Sequence, residues 1–168
     1  MTTTASPSSA TASATTHGER RLDFSKAAPG AAQAQLAMER YVRGCGLEHS
    51  LLELVKLRAS YMNGCAYCVD MHSKDARAEG ETEQRIYAIP VWRETPFFTP
   101  RERAALAFTE AVTAIGHAGV PDDVYDEARA HFADAELANL TMAVIVINGW
   151  NRLSVTFRTP PGSYTRPK

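Results

Sequence analysis

The stretch NGCAYCVDMHSKDARA, Asn63 to Ala78, decides how the rest of the chain is read. Cys65 and Cys68 stand three apart, and His72 follows Cys68 by four. If the segment opens a helix, the 3.6-residue repeat sets Cys65, Cys68 and His72 on one face. Asn63-Gly64 in front of the pair is a turn-forming dipeptide with no bulky side chain to cover the sulfurs. Gly80 behind it is a natural helix terminator. Backbone N–H groups and the positive end of the helix dipole then favour a thiolate at Cys65 or Cys68. Three readings compete: a redox dithiol, a zinc clasp, and three core residues that happen to align. A closed zinc site needs four ligands, and Cys45, His49, His117 and His131 stand singly at unrelated spacings. A redox dithiol with no metal is therefore the leading expectation.

Outward from this segment the pattern is helical. In AAQAQLAMERYVRG, starting near Ala31, the positions of Leu36, Met38, Tyr41 and Val42 predict one buried face, with Gly44 or Gly46 as the stop. Ser50 followed by Glu53 reads as a capping box for LLELVKLRASYM. Thr99-Pro100-Arg101-Glu102 is a second box with proline in the first turn. Pro121-Asp122-Asp123 begins a shorter helix to about Phe132, and the last helix starts after Asp134 and carries AELANLTMAVIVINGWNRLSVTF. Val144 to Ile147 is β-branched and reads locally as a strand, but an isolated strand would have no partner. The expected fold class is all-α: a compact domain of about six helices, with the CxxC at the start of a central helix.

With 168 residues, 45% apolar and 22% charged, the chain has the size and composition of one soluble domain. The Thr/Ser/Ala-rich residues 1–20 read as a disordered tail, 21–158 as the domain, and 159–168 as a flexible C-terminal tail. A net charge of −1 with scattered basic residues argues against nucleic acid and anionic membrane as partners. The longest apolar run, Met142 to Ile147, is far too short to span a bilayer. Three cysteines without a secretory signal point to a cytoplasmic home, where a CxxC is more often catalytic, redox-active or metal-binding than a static staple.

Glu53 lies among Leu52, Leu54, Val55 and Leu57, so a buried carboxylate with a raised pKa, able to relay a proton, is one expectation. Completing the Ser50 box is the other. Lys56 and Arg58 read as solvent-facing, and Cys45 as a surface thiol or helix-end filler. Tyr67 either roofs a pocket or packs. Trp150 and Arg152 in INGWNRL offer no chemistry and read as packing or a subunit contact.

Taken together, Glu53, the eleven residues after it, and Cys65-Ala-Tyr-Cys68-Val-Asp-Met-His72 resemble the core motif of the alkylhydroperoxidase D family, within the carboxymuconolactone decarboxylase-like superfamily. INGWNRL, Ile147 to Leu153, resembles a segment of its CxxC-bearing members, and the likeness spans roughly Ala31 to Phe157. The resemblance implies an all-helical thiol peroxidase that forms dimers, trimers or hexamers. It implies Cys68 as the peroxidatic cysteine, Cys65 as the one that resolves it into a disulfide, and Glu53 and His72 as a proton relay, Glu53 serving Cys65 and His72 serving Cys68. It also implies a hydroperoxide substrate, an external dithiol such as a lipoyl-bearing protein as reductant, and no cofactor. Alkylhydroperoxidase D proper has histidine just before the second motif cysteine, where this chain has Tyr67, which is no near-neutral base. A thiol–disulfide oxidoreductase or redox sensor, a decarboxylase-type enzyme and a non-catalytic helical assembly protein remain alternatives.

Overall fold

The computed structural model describes residues 19–166, and residues 1–18 of the expected N-terminal tail lie outside them. Among the described residues there are eight α-helices and one 3-10 segment, two helices more than the sequence pattern predicts. They are α1 Phe24–Ala27, α2 Pro29–Arg43, α3 His49–Met62, α4 Ala66–Ala78, α5 Glu83–Ala88, the 3-10 segment Ile89–Glu94, α6 Pro100–Thr113, α7 Asp122–His131 and α8 Asp134–Phe157. The unexpected elements are α1, α5 and the 3-10 segment, all too short to display a helical period.

Helix α3 packs against α4, α6 and α8. It buries residues all round, including Leu51, Leu52, Leu54, Val55 and Leu57. One side joins Val42, Phe108, Leu140 and Val144 in the larger core. The other joins Ile86, Ile89, Trp92 and Phe98 in a second cluster. Each leucine withdrawn from water contributes about 2 kcal/mol.

The Thr99 box holds: Thr99 accepts the Glu102 N–H, and Glu102 accepts the Thr99 N–H at 2.7 Å. The Ser50–Glu53 box does not form. Helix α3 starts two residues earlier, after Glu48, without a side-chain cap, and Glu53 is turned to other partners. The face predicted for α2 is also shifted. Val42 is buried as expected, but Leu36 and Tyr41 are exposed and Ala32 takes the inward position. Leu36 and Tyr41 are used elsewhere: Leu36 lines a cavity, and the Tyr41 hydroxyl donates to Asn139. In α8, burial of Val144, Val146 and Ile147 overrides their strand propensity.

Candidate redox site

The turn between α3 and α4 serves both helices. Gly64, at φ +63°, is in the left-handed region that ends α3. Its N–H bonds to the Tyr61 carbonyl and the Cys65 N–H to the Ser60 carbonyl, the pair of bonds that closes a Schellman motif. Cys65 is also the N-cap of α4, and its sulfur accepts the Cys68 N–H at 3.3 Å. Cys65 and Cys68 are joined as a disulfide with Cα atoms 5.3 Å apart, within the range such a bond requires. Both are 1% exposed.

The INGWNRL segment of α8 holds this corner. Asn63 Nδ2 donates to the side-chain oxygens of Asn148 and Asn151, at 3.0 and 2.9 Å. Asn151 Nδ2 in turn donates to Ser60 Oγ, and Arg152 donates to Asn148 Oδ1 at 2.7 Å. Asn151 and Ser60 are fully buried, so these amides have no water to fall back on and a broken link would be costly. At Gly149 a Cβ would lie 2.7 Å from the Gln35 amide nitrogen, which donates to the Val146 carbonyl; glycine lets α2 approach α8 here. Trp150 Nε1 donates to Glu39 at 3.3 Å. The motif that offered no chemistry in the sequence is thus the support of the cysteine turn.

A line of polar and charged groups runs from α2 to His72, which lines the same cavity as Cys68. Glu39 of α2 accepts from Lys56 Nζ at 2.8 Å, and Lys56 also donates to Glu53 Oε1 at 3.3 Å. The other oxygen of Glu53 lies 2.8 Å from His72 Nδ1. Among the described residues the buried His72 Nε2 has no hydrogen-bond partner. Burial pushes the Glu53 carboxyl upward, but His72 and Lys56 outweigh it and hold its pKa at about 2, opposite to the raised value expected from burial alone. Burial likewise works against the Lys56 charge, and Glu53 and Glu39 overcome it, so the Lys56 pKa is raised. Lys56 is 3% exposed. It is not the solvent-facing residue that the sequence suggested, and neither is Arg58, which pairs with Glu110.

Cys68, His72, Glu53 and Lys56 line a cavity of about 340 Å³ whose apolar wall includes Leu36, Met71 and Trp150. Cys65 is not in its lining. Tyr67 lines this cavity and a neighbouring one of about 240 Å³ reached by Phe24. Residues after α8 close one side: the Tyr164 carbonyl accepts from Lys74, and its hydroxyl donates to Asp75 at 2.8 Å. Burial and the Asp75 carboxylate push the Tyr164 phenol up to about 12. Glu53, His72 and Asp75 are close enough to share a cation. Both carboxylates are already engaged, however, Glu53 by Lys56 and Asp75 by Tyr164.

Glu53, Cys65, Cys68 and His72 are thus brought together, and Glu53 bonds His72 directly. The other lone candidates are elsewhere. Cys45 is a half-buried free thiol past the end of α2, His49 bonds the Arg43 carbonyl, and His131 sits beside Glu127. Sequence reading missed Glu39, Asp75 and Tyr164; only the i, i+3 spacing of Asp75 from His72 carried a local signal.

The Carboxymuconolactone decarboxylase family matches residues 29–111, from α2 through most of α6. The uncharacterized protein YdfG of Bacillus subtilis is 40% identical over 136 residues, covering 81% of this chain and 92% of the relative. A crystal structure of a protein of unknown function from Agrobacterium tumefaciens, with a suggested AhpD-type antioxidant defence role, is 47% identical. It superposes with a TM-score of 0.84 over 87% of this chain and 100% of that one. An uncharacterized peroxidase-related protein from Ralstonia eutropha, described as an alkylhydroperoxidase AhpD core, shares the fold at 22% identity, with a TM-score of 0.74 over 83% of this chain and 75% of that one. With its buried Cys65–Cys68 disulfide set beside Glu53, His72 and Asp75 as a thiol-based redox site, the chain belongs to the carboxymuconolactone decarboxylase family and has its AhpD-like fold.

Proposed function

We propose that the chain reduces hydroperoxides through Cys68 and Cys65. The observation that carries this reading is the setting of Cys68, the cysteine of the pair that lines the cavity, together with an imidazole whose second nitrogen is unpaired. In the reduced protein, His72 Nε2 takes the Cys68 proton, and Glu53 stabilises the imidazolium that forms. The Cys68 thiolate attacks the terminal peroxide oxygen and the O–O bond breaks. The alcohol or water leaves with a proton returned by His72, and Cys68 is left as a sulfenic acid. The Cys65 thiol then gives up its proton to the departing hydroxyl as its sulfur attacks the Cys68 sulfur, breaking the S–O bond, forming the S–S bond and releasing water. Two electrons have passed from the dithiol to the peroxide.

An external dithiol returns them. Its thiolate attacks Cys68 from the cavity, and Cys65 leaves as a thiolate supported by the Cys68 N–H. A lipoyl-bearing protein fits this role by family resemblance, and the apolar cavity wall favours an organic hydroperoxide as substrate. Among the described residues no helix is long and apolar enough to cross a membrane. A cytoplasmic setting would supply the reducing dithiol, and the resemblance adds assembly as a dimer, trimer or hexamer.

The test is steady-state reduction of cumene hydroperoxide with excess dihydrolipoamide. Turnover lost in both Cys68→Ser and Cys65→Ser, with a sulfenic acid trapped on Cys68 in the Cys65→Ser protein, is the expected result. An intact protein that exchanges disulfides but consumes none of a panel of peroxides is instead a thiol–disulfide oxidoreductase or redox sensor.

A further inference from the structure

Lys56 is a lysine withdrawn from water and answered by two carboxylates. Its side chain is 4% exposed, with the ammonium 2.8 Å from Glu39 and 3.3 Å from Glu53. A cation in such a place is tolerated only where anions compensate the lost hydration. The line continues through Glu53, which gives one oxygen to Lys56 and the other to His72 Nδ1. That division has a consequence for the imidazole. An ionised Glu53 can only accept, so Nδ1 carries the hydrogen and, in the neutral ring, Nε2 carries the lone pair. A protonated Glu53 could donate to Nδ1 instead, and the ring hydrogen would move to Nε2. Nε2 is the buried nitrogen without a partner. Its ability to accept a proton from Cys68 therefore depends on the charge state of Glu53.

The titratable and charged groups around this line are Glu39 and Arg43 from α2, His49 from α3, Cys68 and Asp75 from α4, Tyr67 beside Cys68, Glu79 at the end of α4, and Tyr164 and Arg166 from the C-terminal segment, with Arg166 bonded to Glu79. Asp75 is bonded by Tyr164, and Glu39 is shared between Lys56 and Trp150. Lys56 is the lysine that bonds Glu53. Burial alone would drive Glu53 toward its neutral form.

We propose that Lys56, clamped by Glu39, is a positioning residue of the redox site: its ammonium keeps Glu53 anionic, and Glu53 thereby fixes His72 in the Nδ1–H tautomer with Nε2 free to accept the Cys68 proton. The proposal rests on the redox reading of Cys68, but its primary test needs no turnover. Ring ¹⁵N shifts of His72 and the carboxyl ¹³C shift of Glu53 are followed against pH in the disulfide form of the full chain. Wild type, Lys56→Met, Lys56→Gln and Lys56→Arg are compared.

Wild type is expected to show the Nδ1–H tautomer in its neutral ring. In Lys56→Met and Lys56→Gln the Glu53 midpoint moves up by several pH units, toward the raised range that burial produces, so that the carboxyl is protonated beside a neutral ring and the Nε2–H tautomer grows. Lys56→Arg restores both signals, which a purely structural loss would not do. The glutamine variant retains a hydrogen-bond donor and decides the matter if the methionine variant does not fold. An unchanged Glu53 midpoint and tautomer in a folded Lys56→Gln protein would overturn the proposal. Turnover of cumene hydroperoxide is then measured against pH in the same proteins. A low-pH limb that moves with Glu53 supports both readings. NMR changes in proteins that consume no peroxide support the role of Lys56 and count against the peroxidase.

Discussion

Helix α3 carries two basic residues, Lys56 and Arg58, that end in two unlike carboxylate clusters. Arg58 meets Glu110 at 2.7 Å, and Glu110 also accepts from Trp92 at 2.7 Å and from Arg93. That cluster ties the 3-10 segment to α3 and α6, and Arg58 adds a bond to the Pro90 carbonyl. Lys56 meets Glu39 and Glu53, and the line passes on to His72, where it stops at a nitrogen with no partner. Both clusters remove charge from water, and both lower the pKa of a glutamate against the effect of burial. Charge burial is therefore no sign of function by itself. The Lys56 cluster differs in having an unpaired atom and a cavity beside a sulfur.

The two clusters part most widely when the terminal group of each is removed. His72→Asn is expected to lower peroxide turnover by a factor on the order of 10² to 10⁴, the usual worth of a general base, together with some loss of stability as Glu53 loses its imidazole partner. Glu110→Gln should spare the activity. Turnover stays close to wild type, while stability falls by about 2 kcal/mol as Arg58 and Arg93 lose their shared anion, read as a melting point about 5 °C lower. Equal activity losses in the two variants would abolish the distinction.

Acid sensitivity gives a finer test. Glu53 is held at about 2 in the fold against an ordinary 4.5, so its contribution is complete above that ordinary value and is lost as pH falls toward 2. Urea melts at a series of pH values should show a shallower acid decline in Glu53→Gln than in wild type. Glu110 is shifted in the same direction, so Glu110→Gln should also flatten the decline. Acid stability then belongs to both clusters and peroxide chemistry to one. The smallest effect is a control outside both. Arg158, at φ 51°, is the described non-glycine residue in the left-handed region, and Arg158→Gly should stabilise by about 1 kcal/mol with turnover unchanged. Calorimetry checks it.

What the sequence disclosed follows the range of the interactions involved. The Thr99 box, the stops at Gly64 and Gly80, and the Cys65–Cys68–His72 line are settled within one or two helical turns, and all were legible. Ser50 and Glu53 had the right spacing for a box, yet Glu53 was claimed by His72, nineteen positions away. Lys56 read as exposed because its two anions come from different helices, one of them seventeen positions back. The direction of the Glu53 shift was misread for the same reason: burial can be guessed from leucine neighbours, whereas the opposing charges depend on tertiary placement. Asn148 and Asn151 gave no chemical signal because their partner, Asn63, lies 85 and 88 residues away.

Cys65 has a consequence for how the site can be dissected. The same residue ends one helix through its N–H and starts the next through its sulfur. An alanine there would confound two losses, the redox partner and the start of α4, the latter worth about 1 kcal/mol. Serine is among the better residues for that helical position, so it removes the sulfur chemistry while leaving the scaffold its oxygen. Comparing the serine and alanine variants in one denaturation series separates architecture from reactivity at a single atom.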